Sequence, residues 1–242
     1  MKPADTRLQL GKNLFRTHGA FYFGEYEKAQ HCHDNVKMLG NMDIVCTITV
    51  VVFGQLIASA LYRRTKRRKY KKEALKYLTK MRKLVKEKGP TKVNKFLLME
   101  ADFLSTFDES VDSMSVKRSF ERAISTSKRS GLMQDAALAS ELCGSYFLSR
   151  GDSDWAAYYY TAAASIYRDW GATAKVAHLV QNLGKHVQLK EKARMKTSRK
   201  DRRWLIEKVA EASSDFTAEF APIELGSSSL RSGGVLELAS WH

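Results

Sequence analysis

Histidine and cysteine side chains that could share a metal ion stand together at one place in the chain, His31-Cys32-His33. Neighbouring residues on a helix point about 100° apart around its axis, so these three side chains would not converge on one ion. No Cys-x-x-Cys or His-x-x-x-His pair completes a tetrahedral set. Glycine-rich phosphate cradles and recognisably spaced Ser, His and Asp triads are missing from the sequence as well. We therefore expect no metal, no cofactor and no enzymatic activity.

A run of basic residues could bind anions. Eight of the ten residues from 63 to 72 are Lys or Arg, namely Arg63, Arg64, Lys66, Arg67, Arg68, Lys69, Lys71 and Lys72. Such a run is typical of a nuclear import patch, a phosphate-backbone contact or an attraction to an anionic membrane surface. The interpretation we favour is the solvated face of a long amphipathic helix, because apolar residues recur at helical spacing from Ala74 to Val85. Weak, non-specific and salt-dependent binding of polyanions is the expected consequence.

The net charge of +15 is local. Residues 63–95 hold sixteen Lys and Arg against two acids, and residues 185–208 hold ten against three, so the remainder of the chain is mildly acidic. The composition is rich in helix formers and contains only three prolines, which predicts an all-α protein. Three widely spaced cysteines and the lack of an Asn-x-Ser/Thr acceptor predict a cytoplasmic location.

An internal repeat organises these features. Within 139–171, small residues, larger residues and a turn glycine recur at the positions of a tetratricopeptide unit, with Gly144, Phe147, Gly151, Ala156, Tyr160 and Ala163 at positions 8, 11, 15, 20, 24 and 27. Small residues let two antiparallel helices approach closely, the larger ones fill the gap, and the glycine makes the turn. This stretch is the best-supported hairpin in the sequence.

Weaker matches extend the pattern upstream. Ala29, Ala74, Val116 and Ala156 occupy equivalent positions, 45, 42 and 40 residues apart. The sequence thus predicts an α-solenoid of antiparallel helix hairpins at about 8–39, 43–88, 95–130 and 134–171, followed by a helix at 172–183. Residues 1–184 would form the repeat domain. Residues 185–242 would form a basic linker and a largely disordered tail.

Residues about 20–183 resemble the C-terminal helical-repeat region of large multidomain signalling proteins. The resemblance is carried by Asp135-x-Ala137-Leu138-Ala139-x-Glu141-Leu142 and by Tyr167-x-x-Trp170-Gly171-Ala172-x-Ala174-Lys175-Val176. In that family a kinase-like domain and a P-loop ATPase precede the repeats, and a sensory domain with a histidine kinase or nucleotide cyclase follows. No catalytic domain of the family is present in this chain, so the resemblance implies a coupling segment without active-site residues.

The run from Tyr167 to Lys175 supports two interpretations. Trp170 and Lys175, beside the glycine break, could contact a ligand or partner. Alternatively, Trp170 closes the last hairpin and Gly171 stops its helix, so that the next packed helix can begin. We favour the structural interpretation.

An apolar segment from Ile44 to Leu61 runs for eighteen residues without a charge and is followed by the basic run. Its length and its basic flank are those of a single-pass membrane anchor. A helix packed between two neighbours in a stack is also apolar all round, and the polar residues inside the segment favour that alternative.

Two functions follow from these features. We expect a non-catalytic scaffold in signal transduction that binds a protein or peptide partner or couples neighbouring domains. The alternative is a membrane-anchored adaptor whose transmembrane helix is Ile44–Leu61. If the hairpins at 8–39 and 43–88 lack upstream neighbours, an apolar face stays uncovered, and we then expect self-association or dependence on a partner chain.

Overall fold

A computed structural model describes residues 3–39, 43–88 and 92–194. Within these ranges the chain forms nine α-helices and no strand, which confirms the prediction of an all-α protein for the described residues. The helices are α1 (Pro3–Tyr22), α2 (Tyr26–Met38), α3 (Ile44–Thr65), α4 (Arg68–Lys88), α5 (Val93–Phe107), α6 (Ser113–Arg129), α7 (Met133–Ser149), α8 (Ser153–Asp169) and α9 (Thr173–Arg194).

Helix ends follow from local sequence chemistry. Asp43, Asp112 and Asp152 precede α3, α6 and α8, and each carboxylate accepts hydrogen bonds from backbone N–H groups of the first turn. At the other end, α1, α6, α7 and α8 stop at glycines with positive φ, Gly24, Gly131, Gly151 and Gly171. In all four, the N–H that follows the glycine reaches back to a carbonyl of the last helical turn, which satisfies groups the helix leaves unpaired.

Each helix packs against its neighbours in sequence, and several also pack against the next helix but one. Each helix contacts the next one in sequence, and α3 also contacts α1 and α5, while α5 also contacts α7. The main apolar core draws on α1 to α8, and a smaller cluster joins α7, α8 and α9 around Tyr167 and Leu179. Alternate helices are therefore neighbours in space.

The apolar helix α3 lies in the core. Its buried residues run from Val50 to Leu61 with a single gap at Phe53, which is partly exposed. Gly54 allows the closest approach: a Cβ at this position would come within 2.5 Å of Cζ of Tyr77 on α4. By length and composition α3 is the one helix among the described residues that could cross a membrane, and 67% of its apolar window is buried in the fold.

The basic run does not lie on one helix, contrary to the favoured interpretation of residues 63–72. Helix α3 continues through Thr65, Lys66 takes a left-handed backbone conformation with φ of 55°, and α4 starts at Arg68. The N–H of Lys66 closes the last turn of α3 by donating to the carbonyl of Tyr62. A lysine performs here the role usually given to glycine, so no glycine marks this joint.

The predicted boundary at residue 184 falls inside a helix. Helix α9 continues to Arg194, because Leu, Lys, Glu, Ala and Arg are good helix formers despite their charge density. The rest of the predicted linker and tail, 195–242, lies outside the described residues.

Candidate functional site

The repeat residues lie in the interface between α7 and α8. Gly144 faces the ring of Tyr160, where an added Cβ would meet ring carbons at 3.0 Å. Phe147, Ala156 and Ala163 are buried, and Gly151 makes the turn with φ of 79°. The hydroxyl of Tyr160 donates to Oγ of Ser145 at 3.0 Å, so the phenol is satisfied inside the protein. These six residues pack α7 against α8, and little of their surface is accessible to a ligand.

The run from Tyr167 to Lys175 divides into exposed and buried members. Trp170 follows the end of α8 and remains 49% exposed, and Gly171 adopts φ of 88°. Tyr167 is buried and donates its hydroxyl hydrogen to Oε2 of Glu141 at 2.9 Å. Lys175 is only 5% exposed, and its ammonium lies 2.7 Å from Oε1 of the same carboxylate. The indole thus belongs to the surface, whereas the lysine belongs to an internal charge network.

That network consists of three ion pairs, each joining alternate helices. Nη1 of Arg63 on α3 lies 2.9 Å from Oδ1 of Asp102 on α5. Nζ of Lys95 on α5 lies 2.6 Å from Oδ1 of Asp135 on α7. The third pair is Lys175 of α9 with Glu141 of α7. We call these six residues the inner-face network, and they link α3, α5, α7 and α9 in order.

Uncharged groups complete the network. Gln55 on α3 donates to Oδ2 of the fully buried Asp102 at 2.9 Å, and Asn94 on α5 donates to Oδ2 of Asp135 at 3.1 Å. Hydrogen bonds of this kind are what allow carboxylates to remain charged away from water. The network therefore serves to fix these helices relative to one another.

The turn between α1 and α2 lies against this network. Lys175 donates to the backbone carbonyl of Tyr22, from which it is separated by 153 residues. The ring of Tyr22 contacts the rings of Phe53 on α3 and Tyr167 on α8 edge-on, each with centroids 6.2 Å apart. Phe23 meets His178 of α9 at 5.1 Å. The turn that joins α1 and α2 thus contacts α3, α8 and α9.

Titratable groups in this region are held neutral. Burial raises the pKa of Tyr22, and the carboxylates of Asp135 and Glu141 raise it further. Burial likewise raises the pKa of Tyr167, again with Glu141 contributing. For His18, burial and then the charge of Lys95 lower the pKa to about 4. Its ring stacks on Phe53 at 4.0 Å, and its Nε2 has no hydrogen-bond partner among the described residues. Neutral phenols and a neutral imidazole in this setting serve packing and hydrogen bonding.

The eight basic residues of the run are dispersed by the helix joint. Arg63 joins the inner-face network, Arg64 pairs with Glu27 at 3.0 Å, and Lys71 donates to the carbonyl of Phe107. Lys66 and Lys69 lie over the rings of Tyr62 and Tyr70. Arg67, Arg68 and Lys72 face solvent without an ion pair among the described residues.

His31, Cys32 and His33 are not brought together around a common point. His33 is buried and shares a hydrogen bond of 2.8 Å between Nε2 and the carbonyl of Val50, and burial lowers its pKa. Cys32 is buried, and His31 is exposed. No group of three or more potential metal ligands occurs in the described part of the chain.

The inner-face network was not predicted from the sequence. A signal for it exists in hindsight: the paired residues are 39, 40 and 34 positions apart, close to one repeat. Opposite charges at one repeat spacing, such as Arg63 and Asp102, are what alternate stacked helices would bring together. Nothing in the sequence of Phe21, Tyr22 and Phe23 pointed to a contact with α9.

No protein-family model matches the chain, and neither a curated protein nor a solved structure is significantly similar to it.

Proposed function

We propose that the chain is an α-solenoid of antiparallel, tetratricopeptide-like hairpins that serves as a non-catalytic scaffold, coupling neighbouring domains or partners in cytoplasmic signal transduction. The ordered ladder of ion pairs along α3, α5, α7 and α9 supports the stacked arrangement, because alternate helices of a solenoid are its nearest repeated neighbours. The resemblance to repeat regions of signalling proteins supports the role.

One observation carries the coupling part of this proposal. Lys175 of α9 bridges Glu141 of α7 and the backbone carbonyl of Tyr22 at the end of α1. A force or a shift applied to α1 therefore acts on a buried charge of the last helices, without passing through each hairpin in turn. Two helices linked in this way can transmit the state of one neighbour to the other.

Hydrogen exchange tests the coupling. In the Lys175→Met variant we expect faster amide exchange in the second half of α1 and the start of α2, although these residues are distant in sequence. Lys128→Met, which removes an exposed lysine from the last turn of α6, is the matched control. Exchange that rises only in α7, α8 and α9 of the Lys175 variant would contradict the coupling.

The proposal also includes a surface on α1 to which a partner binds. The apolar residues Leu8 and Phe15 of α1 are 71% and 79% exposed and border a shallow cleft on that helix. Self-association through this surface would cover them, as would a protein or peptide partner. Light scattering of the full chain and of a Leu8→Ser/Phe15→Ser variant distinguishes the cases, since only a self-associating chain shows a concentration-dependent mass that the variant lacks.

A membrane-anchored adaptor is the second candidate, favoured by the length and apolar composition of α3. In that function α3 would leave its packing against α2, α4 and α5. Extraction of cell membranes with alkaline carbonate decides between the two, because a spanning helix stays in the pellet and a peripheral or free chain is released.

A further inference from the structure

The outward side of α4 carries a continuous row of positive charge. Arg68, Lys72, Lys76 and Lys80 follow one another at intervals of four residues, and Lys69 lies beside them. All five side chains are exposed. Residues four apart on a helix are neighbours on its surface, so this row forms one strip, which we call the lysine face.

The described part of the chain does not neutralise the lysine face. Among the described residues no acid pairs with Lys72, Lys76 or Lys80, and the nearby Glu73 contacts Lys37 of α2 at 3.6 Å. Like charges four residues apart repel each other. The first turn of α4 also lacks an acidic residue, so Arg68 and Lys69 sit at the positive end of the helix dipole. An external anionic partner would relieve both unfavourable arrangements.

Aliphatic side chains accompany this charge. Leu75, on the same side of α4, is 51% exposed. A cleft of about 550 Å³ beside the row is lined by Lys37, Val50, Glu73, Tyr77 and three of the lysines. Met38 on α2 and Val45 on α3 are 83% and 68% exposed. Exposed aliphatic side chains thus occur on α4 itself and on α2 and α3, which supply Lys37 and Val50 to the cleft.

This combination distinguishes between classes of partner. Single-stranded nucleic acids are bound by basic grooves with exposed aromatic rings on which bases stack. The strongly exposed apolar residues of α2, α3 and α4 are aliphatic, namely Met38, Val45 and Leu75. Aliphatic side chains gain little from phosphates and bases, but they enter the interfacial region of a lipid bilayer while lysines reach the headgroups.

We propose that the lysine face of α4 docks on an anionic lipid bilayer, with the aliphatic side chains of Met38, Val45 and Leu75 entering the headgroup layer. The docking is peripheral and leaves α3 packed in the core. It goes beyond the scaffold function and uses none of the inner-face network, so each proposal can fail alone. Each basic residue removed should weaken binding about fivefold at low salt.

Vesicle sedimentation of the full chain tests the proposal. We expect binding to vesicles of phosphatidylcholine with phosphatidylserine, little binding to phosphatidylcholine alone, and loss of binding at high salt. Lys72→Gln/Lys76→Gln/Lys80→Gln should lower the partition coefficient about 100-fold, the product of three such steps. The charge-matched control is Arg118→Gln/Lys128→Gln/Arg168→Gln, which neutralises three exposed cations on α6 and α8 and should bind like the unchanged chain. Circular dichroism checks that both variants remain helical.

Val45→Asp tests the apolar part, and we expect it to reduce vesicle binding while leaving the helical content unchanged. Three outcomes overturn the proposal. The first is equal binding to vesicles with and without phosphatidylserine, and the second is equal loss in the lysine-face variant and its control. The third is absence of vesicle binding while the lysine face still binds an oligonucleotide or polyglutamate, which would assign it to a nucleic-acid or acidic protein partner.

Discussion

The inner-face network and the lysine face contain the same cationic residue types in opposite situations. Lys175 is buried, contacts a carboxylate and a backbone carbonyl, and joins helices that are distant in sequence. Lys76 is exposed and has like charges as its neighbours on α4. The difference teaches that charge in this chain has two uses: paired charges fix the arrangement of helices, and unpaired charges remain for a partner.

Replacement of Lys175 by Met should produce the largest effect. It leaves Glu141, whose side chain is only 18% exposed, without its cation, and loss of one member of a largely buried ion pair costs about 3 kcal/mol. Lys76→Met at the lysine face should change the free energy of unfolding by less than about 0.5 kcal/mol. Urea denaturation at two salt concentrations measures both variants. Equal destabilisation by the two substitutions would remove the distinction between the regions.

The pair of Arg63 and Asp102 should show a smaller effect, because about a third of the arginine side chain is exposed. We expect Arg63→Met to cost about 2 kcal/mol, since the fully buried Asp102 loses its cation. In a double-mutant cycle with Asp102→Asn, the coupling energy should be about 1–2 kcal/mol. Strict additivity of the two substitutions would show that the pair does not act as a unit.

The stability of the chain should fall in mild acid because of His18. Its pKa is lowered to about 4 in the folded state, below the ordinary value of 6.5, so the unfolded chain binds the proton more readily. The stabilisation from the neutral ring is therefore complete above pH 6.5 and is lost as pH falls towards 4. Burial lowers the pKa of His33 as well, which adds to the same slope.

We expect His18→Phe, which keeps an aromatic ring against Phe53, to be less sensitive than the unchanged chain between pH 7 and pH 4.5, by on the order of 2 kcal/mol. Denaturation curves at the two pH values give the comparison. An unchanged pH dependence in the variant would show that His18 is not held neutral by the fold.

The smallest effect should appear in binding to a heparin column. Arg64→Gln removes a cation that already pairs with Glu27, so the salt concentration that elutes the protein should change little. Lys72→Gln removes an exposed lysine of the lysine face and should elute earlier. If Arg64→Gln shifts elution as much as Lys72→Gln, the ion pairs seen at the helix joint do not govern binding of polyanions.

Much of the fold follows from features that a sequence displays locally. Aspartates before helices and glycines after them mark several helix ends. The segments predicted from the spacing of Ala29, Ala74, Val116 and Ala156 enclose most of the nine described helices, but α1 begins earlier, at Pro3, and α9 ends later, at Arg194. The joint at Lys66 was not predicted, because nothing in the sequence indicates that this lysine takes a left-handed backbone conformation. The C-terminal end of α9 was not predicted, because a charge-rich segment can be either helical or irregular.

The candidate site is less accessible to sequence analysis. Asp102 lies in a stretch that is apolar apart from Glu100, and a buried carboxylate there requires a partner, yet the sequence does not say that the partner is Arg63. The contact of Tyr22 with Lys175 depends on the summed geometry of all the hairpins between them. Neither local helix propensity nor repeat spacing predicts that contact.

A cysteine cross-link tests most directly the central claim that the turn after α1 lies against α9. In a Cys46→Ser background, in which Cys32 and Cys143 are buried, Phe23→Cys and His178→Cys place thiols where the two rings now meet. Phe23→Cys with Val180→Cys, two residues further along α9, is the control. A short bis-maleimide should give a fast-migrating monomer for Phe23→Cys/His178→Cys and much less for the control. Equal yields for the two variants, or cross-links only between chains, would contradict the claim.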